Sequence, residues 1–411
     1  MDDLLRGLPE DLDLTDALHL KQVVEVAEAI LDRTRDPRVL SDLEVAWVEA
    51  ERSTPLMGHL AVKLARSRVA MEELRRPVHL SVVFAVFRET TRILTRDEHP
   101  HGEDFLREKI RQLRWLFSGI PEATWDLTLV DDGCPDGSGE IARNILESSP
   151  DLAGAEANIL FLEEAIQTGS TATHPLRSTD ESRKGGSILL GMWEAASTMR
   201  PGHVILYTDA DLSTHLGQAG SLIDPVLRDQ AEAAIGSRRE PTSISTKRGT
   251  RNVRGKLFIY LWKRLFPPLG EVVDTQCGFK AFSAETVRAI GDQTLEKQFA
   301  FDIELLLKTE IRSPGRIRRI PVAWIDSEAA STTTDLQPYL PMLKAMVGMA
   351  RHYLPSHARG NPFAELIDDL DESRWNRLVE SVPAAIADRE PHTFGGWAGV
   401  SAAELQDLAN R

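Results

Sequence analysis

Asp209-Ala210-Asp211 follows the apolar run Val204 to Tyr207 (VILY) after the single residue Thr208. Side chains two apart on an extended backbone point the same way, so both carboxylates can reach one cation or one ribose-diphosphate. Hard oxygen ligands favour Mg²⁺ or Mn²⁺, and either ion neutralises a leaving diphosphate. Alone, such a pair also fits two solvated aspartates in a loop. Asp131-Asp132-Gly133 follows a second apolar run, LTLV, and is expected at the same sheet edge. A carboxylate there can accept from a nucleobase N–H or a ribose hydroxyl, and Gly133 lets the chain turn sharply beneath a ligand. The plainer alternative is an Asp-Gly turn.

Other residues could serve the same chemistry. Lys184-Gly185-Gly186 opens a helix-like segment, which would turn a lysine and backbone N–H groups toward a diphosphate. Arg238, Arg239, Lys247, Arg248, Arg251 and Arg254 form a dense basic cluster in an acidic chain. A guanidinium fork suits a phosphate or carboxylate, although a solvated basic face would look the same. Asp302 and Glu304 (FAFDIELL) lie where a helix is expected to start, so either is a candidate general base or a carboxylate facing its own helix dipole. No neighbouring His or helix terminus would activate Cys277, which reads as a small packed residue.

These side chains must be held by something, and the hydrophobic pattern says what. Leu80 to Phe87, Leu127 to Val130, Val204 to Tyr207 and Ala233 to Ile235 are short, apolar throughout and rich in β-branched residues, as in strands buried on both faces. Helical segments such as Phe105 to Phe117 and Ser187 to Thr198 separate them, so an α/β fold with a largely parallel sheet is expected. In such a sheet ligands bind outside the carboxyl ends of the strands, where both acidic clusters fall. Leu14 to Leu74 repeats apolar residues at helical spacing, and Thr168 to Lys184 reads as a surface loop. Beyond Pro355 the chain turns acidic and helical, with Leu366, Leu370, Trp375 and Leu378 as an apolar stripe. Three regions result: residues 1–74 helical, 75–354 the α/β domain, 355–411 a helical tail.

Composition bounds the partners. A net charge of −15 over 411 residues argues against broad nucleic-acid binding. Two cysteines are too few for a disulfide framework and fit a reducing, cytoplasmic setting. The acidic start has no leader pattern, and no apolar run reaches membrane-spanning length. Lys256 to Phe266 (KLFIYLWKRLF) could lie in a membrane interface, but apolar residues cover nearly all its faces and favour a buried helix, so at most weak peripheral attachment is expected. Self-association into a homo-oligomer stays open.

The ordered series LSVVFAVFRET, LTLVDDGCPDGS, KGGSILLGM, VILYTDADLS, AAIGSRR, VVDTQCGFKAF and FAFDIELL resembles the family-2 inverting glycosyltransferases of the GT-A fold, particularly the dolichyl-phosphate glucosyltransferase and dolichyl-phosphate mannose synthase branch. Asp274 to Lys280 (DTQCGFK) is especially specific to that branch. The resemblance implies transfer of a hexose from a UDP- or GDP-sugar, with inversion and with Mg²⁺ or Mn²⁺. It implies nucleotide contacts by Glu89, Asp131 and Lys184, with Asp132 beside them, and ribose and metal carboxylates at Asp209 and Asp211. Ser213 would stand close to the metal, Asp274 and Gln276 would line the sugar and acceptor side, and Arg238 and Arg254 would hold an acceptor phosphate. A phosphate oxygen needs no strong base, whereas a hydroxyl acceptor would need one such as Asp302. Phe87-Arg88 replaces the branch's aromatic-Asn, and Thr90 to Ile120 replaces a short helix. Alternative readings are a transferase for a small soluble acceptor and an inactive sugar-nucleotide-binding or scaffold protein.

Overall fold

The computed structural model describes residues 1–50, 54–246, 251–326, 338–397 and 399–411. Helices α1 (Ala17–Arg33), α2 (Pro37–Glu49) and α3 (Leu56–Glu73) precede β1 (Val78–Val86), α4 (Phe105–Phe117) and β2 (Ala123–Asp131). Next come α5 (Ser138–Ser148), β3 (Ala157–Phe161), α6 (Leu162–Gln167), α7 (Gly185–Ser197), β4 (His203–Thr208), α8 (Gly220–Arg228), β5 (Ala233–Ser237) and β6 (Ile244–Ser245). The chain continues through α9 (Arg251–Leu265), β7 (Phe279–Ser283), α10 (Ala284–Ile290), α11 (Phe301–Arg312), β8 (Ile317–Pro321), β9 (Ala323–Trp324) and α12 (Tyr339–Tyr353). It ends in the short helices α13 (Pro355–Ala358), α14 (Pro362–Asp369), α15 (Glu372–Glu380), α16 (Ala384–Ala387) and α17 (Ala402–Asn410).

Contacts divide the chain into two compact units. One holds Met1–Lys247, Cys277–Gln293 and Arg316–Thr332; the other holds Arg248–Gln276, Thr294–Gly315 and Thr333–Arg411.

The first unit is built on a seven-stranded sheet of order β3-β2-β1-β4-β7-β5-β8. β1 pairs in parallel with β2 and β4, β2 with β3, and β5 with β8, while β7 runs antiparallel between β4 and β5. This is the mainly parallel, mixed, Rossmann-like sheet of the expected fold class. The four apolar runs are β1, β2, β4 and β5. Their interior positions are buried on both faces because helices cover both: Gly191 of α7 meets Val83 and Val130, and Phe105 of α4 meets Phe84 edge-on. Strands β7 and β8 escape the apolar-run pattern because FKAFS carries a buried lysine and IRRIP is a charged edge.

The helical N-terminal region folds as α1 to α3 in this same unit. α3 is buried on nearly every face, packed against α1, α2 and α8. Its Lys63 is buried against the equally buried Glu44, which keeps the charge neutralised.

In the second unit α9 is the aromatic, basic segment whose alternatives were membrane interface and buried helix. It is buried: Leu257, Phe258, Tyr260, Leu261, Trp262 and Phe266 are all at most 2% exposed. The tail covers it. Tyr260 donates to the carbonyl of Val400 at 2.5 Å, Arg264 to Trp397 at 2.5 Å and Lys256 to Ala387 at 3.0 Å. Leu366, Leu370, Trp375 and Leu378, the stripe read from the sequence, are each buried. Among the described residues no helix is long and apolar enough to cross a membrane.

Candidate active site

Because β1, β2 and β4 are parallel neighbours, their carboxyl ends share one edge of the sheet. The register pairs Val86 with Asp131, and Thr208, the last residue of β4, leads into Asp209. Glu89, Asp131, Asp132, Lys184, Asp209, Asp211 and Ser213 are thus gathered along one edge of the first unit.

Each side chain has a definite employment. Asp131 accepts from the backbone N–H of Cys134 and of Gly139, both at 2.7 Å, which fixes the loop into α5. Each carboxylate oxygen has a second lone pair for a ligand. Asp132 accepts from Ser182 Oγ at 2.6 Å, Ser187 Oγ at 2.7 Å and the Lys184 N–H at 2.8 Å. Burial pushes its carboxyl upward while these hydrogen bonds oppose the shift. Asp132 therefore anchors the Lys-Gly-Gly turn at the start of α7, a role the acidic pair alone does not reveal. Lys184 sits there with φ 72°, and its Nζ bonds to Asp209 Oδ1.

Asp209 is held from several sides. Burial alone would raise its carboxyl, but the Lys184 ammonium, with Lys280 and Lys109 further off, holds it below the usual carboxylate range. Its N–H donates to the Gly278 carbonyl at 3.1 Å, and a Cβ at Gly278 would overlap the Asp209 carboxylate. The glycine of DTQCGFK is there to let this carboxylate pass. Buried Lys280 donates to the Cys277 carbonyl at 2.6 Å and lies over the Tyr207 ring. Cys277 is fully buried, as a packed residue should be.

Asp211 accepts from the Ser213 N–H at 3.0 Å, and the Ser213 carbonyl accepts from Ile325 N at 2.9 Å, which ties the loop to the residue after β9. Fully buried Lys109 of α4 donates to the Asp211 carbonyl at 2.9 Å. Burial lowers this ammonium to about 8, against the pull of Asp211 and Asp209. Glu89 is not open either: Arg92 Nε and Nη2 donate to its two oxygens at 2.6 and 2.7 Å. Behind Arg92 stands buried Glu103, which desolvation raises to about 7. Lys109, Arg92 and Glu103 escape sequence reading because they lie in the segment after β1 that departs from the resembled branch. Only the unusual density of charge on a segment that must pack onto the sheet could mark them.

The remaining candidates fall elsewhere. Arg238, in the first unit, stacks over Trp324 at 5.3 Å. The second unit holds Arg254, Asp274, Gln276, Asp302 and Glu304. Arg254 lies over Tyr339 at 5.4 Å and Trp375 at 5.9 Å, with its buried Nε unbonded among the described residues. Asp274 is buried. The Gln276 amide donates to both oxygens of Asp302, at 2.9 and 3.2 Å. Glu304 accepts from Leu295 N and Glu296 N at 2.7 Å and from Tyr353 Oη at 2.5 Å, so its carboxylate closes the loop that precedes α11. Of the basic cluster, Lys247 and Arg248 lie outside the described residues.

A divalent cation fits these donors. Among the described residues no three His, Cys, Asp or Glu side chains converge on a metal position. A Mg²⁺-type ion needs only one or two carboxylates, with phosphate and water oxygens completing its octahedron. Asp209 and Asp211 can supply those.

Comparison with known proteins bears on the chemistry. No family model matches the chain. It is 27% identical over 247 residues to glycosyltransferase AglD of Haloferax volcanii, covering 60% of this chain and 33% of that protein. It is 26% identical over 266 residues to the dolichyl-phosphate beta-glucosyltransferase of Drosophila melanogaster, 62% of this chain and 70% of that one. The chain is similar to glycosyltransferases. A third such relative is the undecaprenyl-phosphate mannosyltransferase of Micrococcus luteus, 27% identical over 219 residues, 52% of this chain and 76% of that one. The matched region spans only a third of the archaeal protein but most of the other two glycosyltransferases.

Proposed function

We propose that this chain transfers a hexose from a UDP- or GDP-sugar to an anionic acceptor, a polyprenyl phosphate in particular, with inversion and with Mg²⁺ or Mn²⁺ held by Asp209 and Asp211 near Ser213. The observation that carries the reading is the meeting of Glu89, Asp131, Lys184, Asp209 and Asp211 at the carboxyl ends of three adjacent parallel strands. The acceptor class rests on what the fly and Micrococcus relatives are named for.

A bound cation would supply charge neutralisation to the departing diphosphate. The protein's own groups do the rest. Lys184 and the N–H groups opening α7 add positive charge where the diphosphate would sit. Lys109 fixes the Asp211 carbonyl from below, so the carboxylate pair is preorganised and need not reorganise as charge develops. Asp131 meets the nucleotide at the end of β2. The bond that breaks is sugar C1 to diphosphate oxygen, whose electron pair leaves with the nucleoside diphosphate. The bond that forms is C1 to an acceptor phosphate oxygen, already anionic near neutral pH, so no proton needs removal. As the resemblance implies, Arg238 and Arg254, each over an aromatic face within its own unit, are proposed as acceptor-side cations, and Asp274 and Gln276 as sugar-side residues. Asp302, oriented by the Gln276 amide, is the base for a hydroxyl acceptor.

The reading is tested by replacing Arg238 and Arg254 with Gln and measuring donor hydrolysis and transfer separately. Transfer to polyprenyl phosphate should fall at least about ten-fold with hydrolysis retained. Unchanged transfer would remove the arginines from the acceptor site.

A further inference from the structure

Glu103 is buried, its side chain 2% exposed, yet neither carboxylate oxygen has a hydrogen-bond partner among the described residues. Its nearest cation is Arg92, with Nη1 3.7 Å from Oε1, an ion pair too long for a hydrogen bond. Arg92 instead directs Nε and Nη2 to Glu89. The arrangement is built, not loose. Glu103 N donates to the Arg92 carbonyl and Asp104 N to the Leu94 carbonyl, both at 2.9 Å, so the two strands of this loop are laced together. Gly102 presses on the Thr95 carbonyl where a Cβ would overlap it, which sets the turn that delivers Glu103 to Arg92. A buried carboxylate left without a hydrogen bond is costly, and with Nε and Nη2 committed to Glu89 the guanidinium leaves Nη1 out of hydrogen-bond reach of Glu103 unless it shifts toward it.

We infer that Arg92 is a two-position clamp, covering Glu89 in the free protein and moving onto Glu103 when a nucleoside diphosphate takes Glu89. Arg92 and Glu103 are then positioning residues for the donor. The movement is small because Nη1 already faces Oε1. The guanidinium keeps a carboxylate partner throughout, and Glu89 is released as an acceptor for a base N–H or a ribose hydroxyl. The inference rests on the proposed reading of Glu89 as a nucleotide contact.

The test is calorimetric titration of the full chain with UDP and with GDP in the presence of Mg²⁺, alongside thermal unfolding, for the wild type, Glu103→Gln, Arg92→Gln and the double variant. With no second carboxylate to receive it, Arg92 stays on Glu89, so Glu103→Gln should weaken the better nucleotide about ten-fold. Arg92→Gln should bind as tightly as the wild type or more tightly. The double variant should match Arg92→Gln, because Glu103 acts only through Arg92. A merely structural Glu103 would lower the melting temperature without changing affinity, and that result overturns the clamp. So does an Arg92→Gln variant that loses affinity, which would make Arg92 a direct ligand. Should Glu103→Gln not fold, the Arg92→Gln affinity alone decides in the same sense. A wild type that binds neither nucleotide refutes the nucleotide site itself, and the clamp with it.

Discussion

Asp211 is the residue on which the proposed chemistry turns, and its surroundings make it separable from the fold. Its carboxylate accepts from one backbone N–H, while the loop's position is secured by Lys109 on the Asp211 carbonyl and by the Ser213 to Ile325 bond. Asp211→Ala is therefore expected to reduce metal-dependent turnover by about a hundred-fold or more with the melting temperature within a few degrees of wild type. Asp131 is different, since both its oxygens hold the loop into α5. Asp131→Ala should weaken donor binding more than it slows the bound complex, with a stability loss of about 1–3 kcal/mol from the released N–H groups. Titration with donor and single-turnover rates distinguish the two effects, and unchanged donor affinity would count against Asp131 as a contact.

Elements explain both what the sequence discloses and what it hides. The amino-acid pattern alone puts Asp209 and Asp131 on one sheet edge, because VILY and LTLV are apolar throughout and such runs become central parallel strands. The identity of the partners is not legible in it, because Lys184 and Gly278 reach Asp209 from the start of α7 and the turn before β7, and Lys109 of α4 reaches the Asp211 carbonyl. No local period encodes a meeting of segments so far apart in sequence. Asp132 shows the limit most plainly: beside Asp131 it looks like a ligand group, but its side chain faces the α7 turn. Gly278→Ala tests this element-level arrangement. A methyl overlapping the Asp209 carboxylate should displace it, lowering turnover by about ten-fold or more for about 1–3 kcal/mol of strain. Full activity in that variant would mean Asp209 need not stay where it is. At the other end of the unit, deleting residues 1–74 removes α3, whose Leu60 and Leu64 are fully buried and which packs on α8. Such a chain is expected to be insoluble or unfolded by circular dichroism, and a soluble, cooperatively folding product would make the helices dispensable.

At the scale of the whole molecule, stability should depend on acid through buried neutral histidines. Burial lowers His59 and His203 to about 4 and His215 to about 3, from an ordinary value near 6.5. Their contribution is complete above pH 6.5 and is lost as pH falls toward the folded values, up to about 3 kcal/mol each for His59 and His203 and about 5 kcal/mol for His215. Buried carboxyls raised by desolvation, Glu103 to about 7 and Asp104, Glu108, Asp132 and Glu296 in the same direction, work in the opposite sense and offset part of this loss. Between pH 7 and pH 5 the melting temperature is expected to fall by several degrees. A flat profile would show that these histidines carry protons in the folded protein.

The central claim is transfer from a nucleotide sugar, and release of nucleoside diphosphate measures it most directly. Wild type and Asp211→Ala proteins would be incubated with UDP- and GDP-hexoses and Mn²⁺, with and without a polyprenyl phosphate. The account predicts that the wild type releases UDP or GDP from at least one donor, faster with the acceptor present. It also predicts that this release disappears on chelation and in Asp211→Ala. Nucleotide binding without release from any of these donors, or equal release by Asp211→Ala, would contradict it, the first outcome pointing to a protein that binds sugar nucleotides without transferring them.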